Sequence, residues 1–206
     1  PPGSTFKMVV AAAALFIMGA TSPGPSLAVV VRNTIIGGRS RGVSCALGHG
    51  LGFGFYAVAA VFGLVVIMET NPSLFTILQL IGVVVLIWMG IGLLRAKSET
   101  YEIKDSKRDG FFEGFFIAFF NPKIAVFFLS LFSQFLSSEQ THITHLFMAT
   151  LAGGIDTIVY CIIVILASTK GTASFLEHYG SKVSLIFGIM LIILSLSLFV
   201  SMLTKI

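Results

Sequence analysis

Thr21-Ser22-Pro23-Gly24-Pro25-Ser26-Leu27-Ala28-Val29-Val30-Val31 interrupts an apolar run with two prolines, and Asn121-Pro122-Lys123-Ile124-Ala125-Val126-Phe127-Phe128 does the same in the second half of the chain. Aligning Pro25 with Pro122 sets Pro-Ser-Leu-Ala-Val-Val-Val (25–31) against Pro-Lys-Ile-Ala-Val-Phe-Phe (122–128), an internal repeat centred on the two breaks. Proline has no backbone N–H, so it breaks a helix interior but is harmless at a first helical position. Ser22-Pro23 and Asn121-Pro122 therefore each read as an N-cap followed by such a proline, starting a new half-helix within an apolar stretch.

Outside these breaks the chain is 56% hydrophobic, has a mean hydropathy of +0.99 and carries only 11% charged residues. A soluble domain of 206 residues needs a larger polar fraction to clothe its surface. A membrane helix needs about 20 predominantly apolar residues. Stretches 8–31, 43–68, 74–94, 111–136, 143–168 and 183–203 meet that requirement, separated by polar segments 32–42, 69–73, 95–110, 137–142 and 169–182. Residues 7–20 have the outline of a signal peptide, but the run resumes at 26–31, so this stretch is expected to be a membrane helix.

Six spans put Arg32, Arg39, Arg41, Arg95, Lys97, Lys104, Lys107, Arg108, Lys170 and Lys182 on one side of the membrane, and Lys7 and Lys205 on the other. Basic loops stay cytoplasmic, which places both termini outside. The basic residues follow this loop pattern rather than one helix face, so the net charge of +4 does not indicate a nucleic-acid partner. Breaks in the first and fourth spans divide the chain into repeat A (about 7–95), a cytoplasmic linker (about 96–110) and repeat B (about 111–204), all in one membrane domain. Three spans per repeat is an odd number, so the repeats insert in opposite senses. The expected fold is all-α, six transmembrane helices as two inverted three-helix repeats, and paired broken helices in inverted repeats point to a transporter's midplane site.

At such a site, half-helix N-termini offer unpaired N–H groups and partial positive charge to a carboxylate. The candidate binding residues are Ser22, Pro23, Gly24, Pro25, Ser26, Asn121, Pro122, Lys123 and Asp156. Charged groups deep in a span mark substrate or proton pathways, which singles out Lys123 and Asp156. Lys123 could meet a substrate carboxylate or Asp156; Asp156 could meet an ammonium or carry a proton, or the two could form a fixed ion pair. His49, in Gly48-His49-Gly50, is a further coupling candidate, though a lone histidine among small residues is more often packed. Gly48, Gly50, Gly52 and Gly54 put small residues on two faces of the second span, suited to close helix contacts or a homodimer.

The chain resembles the LysE/RhtB type of bacterial amino-acid exporter in Ser22-Pro23-Gly24-Pro25, in residues 37–42 (Gly-Gly-Arg-Ser-Arg-Gly), in Gly82 to Gly90 followed by Leu93-Leu94-Arg95, and in Gly114-Phe115-Phe116 with Asn121-Pro122-Lys123 and Phe127-Phe128. The resemblance implies secondary-active efflux of amino acids across a bacterial inner membrane. Ser26, Phe53, Val85, Ser133 and Ser195 depart from the family's usual asparagine, aspartate, tyrosine, proline and glycine. The changes at 26 and 53 bear on specificity and coupling rather than on the fold.

The resulting expectation is a proton-coupled, alternating-access exporter of small amino acids, with no cofactor and with the bilayer, protons and substrate as partners. One lysine and one aspartate suit a neutral zwitterion better than a cation. An inorganic or metal ion exporter on the same scaffold is the alternative, with Asp156, His49, Cys45 and Cys161 too few and too scattered for a good soft-metal cage. A thiol redox enzyme would need a cysteine beside each proline break, and a lipid-modifying enzyme a Ser/His/Asp constellation; neither pattern is present in the sequence.

Overall fold

The structure is a computed structural model that describes residues 2–95, 109–136, 140–168 and 172–203, with the backbone alone for 2–8, 172–181, 183 and 201. The elements among these residues are helices: α1 Pro2–Thr21, α2 Pro25–Thr70, α3 Pro72–Leu94, α4 Gly110–Phe119, α5 Pro122–Phe135, α6 His142–Ala167 and α7 Thr172–Leu203. Helices α2, α3 and α6 are long and apolar enough to cross a membrane, and α4 with α5 passes the same test as one span bent by 52°. Large apolar side chains point outward, among them Trp88 at 71% exposure and Val84 at 65%, a surface suited to lipid.

Helix α2 is a hairpin rather than a rod. Gly38 adopts φ 70°, ψ −172°, and Asn33 Nδ2 lies 3.6 Å from Cys45 Sγ, 12 residues further on. A straight helix would hold those residues about 18 Å apart. The expected loop 32–42 is thus helical on both sides of one glycine. The expected separator 69–73 shrinks to Asn71, whose Oδ1 accepts from Leu74 N at 3.0 Å and caps α3. Helix α7 begins at Thr172, inside the expected separator 169–182. Of the expected linker 96–110, residues 96–108 lie outside the described residues, as do Lys170 and Lys205; Asp109 caps α4 by accepting from Phe111 N at 2.9 Å.

The glycines of α2 bring two other helices to backbone contact. A Cβ on Gly48 would strike the Phe111 carbonyl, and one on Gly114 would strike the Cys45 carbonyl, so this face of α2 meets α4. The other face meets α6, where a Cβ on Gly153 would lie 3.0 Å from both the Gly50 carbonyl oxygen and Gly54 Cα. Small residues thus stand on both faces, as their spacing requires. Phe16, Phe53, Phe128 and Phe132 fill the space between α1, α2 and α5, the last two with ring centroids 5.1 Å apart.

Candidate functional site

Both breaks form where the sequence places them, with one shift. At the second, Asn121 Oδ1 accepts from Lys123 N at 3.0 Å and Pro122 opens α5, as expected of an N-cap followed by proline. At the first, the helix restarts at Pro25 with Gly24 as N-cap, not at Pro23 with Ser22. Two prolines one residue apart explain the shift: the residue before a proline is disfavoured in the α region, which keeps Gly24 extended ahead of Pro25. Pro25 and Pro122, the pair aligned from sequence, thus occupy equivalent first-turn positions.

The two breaks touch. Asn121 Nδ2 donates to Ser26 Oγ at 3.4 Å, and a Cβ on Gly24 would lie 3.7 Å from Lys123 Nζ. Ala28 and Ala125 reach back to the carbonyls of Gly24 and Asn121 at 3.0 and 3.1 Å, so the helices supply no partner for the N–H groups of Ser26, Leu27 and Ile124. Three first-turn donors from two helices therefore gather where the breaks meet.

A cavity of about 50 Å³ lies against this junction, lined on its polar side by Ser22, Ser26, His49, Asn121, Lys123 and Asp156, with Gly24 and Pro25. Gly19, Phe53, Met89, Phe127 and Phe187 supply apolar walls. At roughly 10–15 Å³ per water, this space holds a few waters and not a whole amino acid. Pro23 and Pro122 line a neighbouring groove of about 620 Å³ with Trp88 and Arg95, and Lys123 borders both spaces.

Asp156 is bound differently from either expectation that involves Lys123. Its Oδ2 lies 2.6 Å from His49 Nδ1, and both side chains are 1% exposed. His49 is held against Tyr160, with ring centroids 4.7 Å apart, and stacks on Phe53 at 6.1 Å. The seam of Gly50 and Gly153 explains this pairing, because it lets α2 and α6 approach closely enough for a short carboxylate and an imidazole to meet directly. Nothing in the sequence selects His49 over Lys123, since the choice depends on which faces of two distant helices share a seam.

Three buried polar atoms of cavity-lining residues have no hydrogen-bond partner in the structure: Ser22 Oγ, His49 Nε2 and Asp156 Oδ1. Buried polar atoms are normally paired, so a hydroxyl, an imidazole nitrogen and a carboxylate oxygen together mark a site that expects water or ligand.

Sequence reasoning missed a second polar cluster two turns further along α2. Glu113, its side chain 8% exposed, accepts from Arg32 Nη2 and, at 2.8 Å, from Asn33 Nδ2. Asn33 Oδ1 in turn accepts from Arg41 Nε at 2.7 Å. Arg32 and Arg41, counted from sequence as loop charges, fold inward onto α4. The available signal was Glu113 itself, an acid at the mouth of an apolar run.

A family model described as LysE type translocator matches residues 17–202. The chain is 30% identical over 132 residues to the uncharacterized membrane protein YahN of Escherichia coli K12, covering 61% of this chain and 59% of that protein. It is 27% identical over 169 residues to a leucine efflux protein of Salmonella typhimurium, covering 78% and 76% respectively. No solved structure matches the chain.

Proposed function

The chain belongs to the LysE type translocator family of membrane proteins, and from that premise we propose that it is a secondary-active, proton-coupled exporter of small neutral amino acids across a bacterial inner membrane. It works as six spans in two inverted halves, repeat A at about 7–95 and repeat B at about 111–204, with both termini outside. The observation that carries this reading is the junction of the two breaks, where Ser22, His49 and Asp156, each with an unpartnered buried polar atom, line one cavity with Lys123 and the first-turn residues Ser26 and Ile124.

An amino acid presents a carboxylate and an ammonium about one bond from a shared carbon. The carboxylate is suited to the N–H groups of Ser26 and Ile124 and to Lys123, where the helix dipoles add positive potential. The ammonium is suited to Asp156 Oδ1, the acceptor that lacks a partner. One cation and one carboxylate leave no surplus negative charge for a cationic side chain.

The Asp156–His49 pair supports the proton coupling in this reading. With the carboxylate ionised, His49 Nδ1–H donates to it and Nε2 keeps a free lone pair in the cavity wall. A proton arriving at Nε2 neutralises the pair without breaking its internal hydrogen bond. Substrate ammonium and proton thus compete for one negative charge, which is the requirement for exchanging one for the other. The cavity of about 50 Å³ cannot take the substrate as it stands, so binding requires the halves to move apart, as alternating access supposes.

The test is efflux from proteoliposomes preloaded with neutral or basic amino acids, with and without an imposed pH gradient. Loss of a neutral amino acid, accelerated by the gradient, is expected. Asp156→Asn and Lys123→Gln should abolish efflux while eluting and melting as folded protein. Normal efflux from both variants would remove the site assignment. Failure of any amino acid to leave would favour the ion-export alternative.

A further inference from the structure

Asp156, Lys123 and the helix ends account for the charged groups common to every amino acid, and leave open what surrounds the side chain. Phe127 follows Lys123 by one helical turn on α5, and Gly19, near the end of α1, lies three residues before Ser22, whose N–H donates to its carbonyl at 3.3 Å. Both residues lie on the same side of the polar groups, because a Cβ on Gly19 would lie 3.9 Å from Phe127 Cζ. The third member of this wall is Phe187 of α7, 2% exposed, with its ring centroid 6.2 Å from that of Phe127. All three line the cavity.

We infer that Gly19, Phe127 and Phe187 form the side-chain subsite of the transported amino acid and set the largest aliphatic side chain it accepts. The inference rests on the export reading above and deepens it to a substrate class: neutral amino acids with short or branched aliphatic side chains. Two phenylalanine rings offer an apolar surface with no polar atom to satisfy a hydroxyl, an amide or a charge. Gly19 lies directly against both rings: a methyl there would touch Phe187 Cζ at 3.7 Å and Phe127 Cζ at 3.9 Å, ordinary contact distances. Alanine at 19 therefore fits without moving either ring, and takes its volume from the subsite.

The experiment compares wild type, Gly19→Ala and Phe187→Leu in proteoliposomes preloaded with alanine, valine or leucine, reading kcat/KM for each. One methylene in an apolar pocket changes discrimination by about 10–200-fold. Gly19→Ala should lower the leucine-to-alanine ratio of kcat/KM by about tenfold, and Phe187→Leu should move that ratio the opposite way. A change in the amount of active protein cancels from the ratio, so loss of stability cannot imitate the effect. Unchanged ratios in both variants, with the wild type exporting, would overturn the subsite and leave the export reading intact. A wild type that exports none of the three would overturn the export reading, and the subsite with it.

Discussion

Gly50→Ala tests whether close approach of α2 and α6 holds the candidate site together. An added Cβ would fall on Thr157 Oγ1 and lie 2.9 Å from Thr157 Cβ and 3.1 Å from the Gly153 carbonyl oxygen. Carbon atoms rest about 3.5–4.0 Å apart, so the helices must separate by roughly 0.6–1.1 Å. His49 precedes Gly50, and its 2.6 Å contact with Asp156 would stretch to or beyond the hydrogen-bonding limit of about 3.2 Å. Overpacking of this kind costs about 1–3 kcal/mol. For a chain of this size that is a fall of roughly 2–12 °C in Tm. The assay is thermal unfolding in detergent, with efflux measured on the same preparations. Gly63→Ala and Gly154→Ala are the controls, because nothing lies within 4 Å of a Cβ at either position. Both should melt at or slightly above wild type, since alanine is the better helix former by about 0.5–1 kcal/mol. If Gly50→Ala melted with these controls and kept its efflux, the seam would not be what brings His49 to Asp156.

Gly38→Ala should destabilise the protein by about 1–3 kcal/mol although nothing lies within 4 Å of its Cβ, because φ 70°, ψ −172° is a backbone region almost confined to glycine. A melt equal to that of Gly63→Ala would show that the α2 hairpin does not depend on this residue. Glu113→Ala removes the acceptor for Arg32 and Asn33 and leaves a guanidinium 22% exposed facing apolar helix, which should cost about 3 kcal/mol, the lower end for a broken buried pair. Pairing it with Arg32→Gln should recover part of that loss in the same melt, whereas additive losses would mean that the two side chains act independently.

The breaks were legible in the sequence because proline acts locally: the missing N–H at Pro25 and Pro122 interrupts a helix wherever the chain runs. The glycine faces of α2 were legible for a similar reason, since alternate small residues on one helix have few uses apart from close packing. The restart at Pro25 was less so, because two prolines compete and the outcome depends on the extended backbone of Gly24. Apart from the meeting of the two breaks, side-chain pairings between distant segments were not legible. His49 and Asp156 are 107 residues apart and Arg32 and Glu113 are 81 apart, and each pair is chosen by which helix faces meet. The inward turn of Arg41 depends on the hairpin at Gly38, which a reading of residues 32–42 as a polar loop could not supply.

Phe53 connects these observations to the charge of the site. The family resemblance leads one to expect an aspartate there; in this chain a phenylalanine, one turn after His49 on α2, lines the cavity and stacks on the imidazole. A carboxylate at 53 would add a second negative charge beside Asp156 in a space that holds a few waters, and like charges in so small a volume disfavour each other strongly. With phenylalanine, Asp156 is the one carboxylate among the described residues that lines the cavity, its Oδ2 engaged by His49 and its Oδ1 without a hydrogen-bond partner. On the export reading proposed above, the departure at 53 suits a site that balances one ammonium against one carboxylate, which favours an electroneutral amino acid over a cationic one.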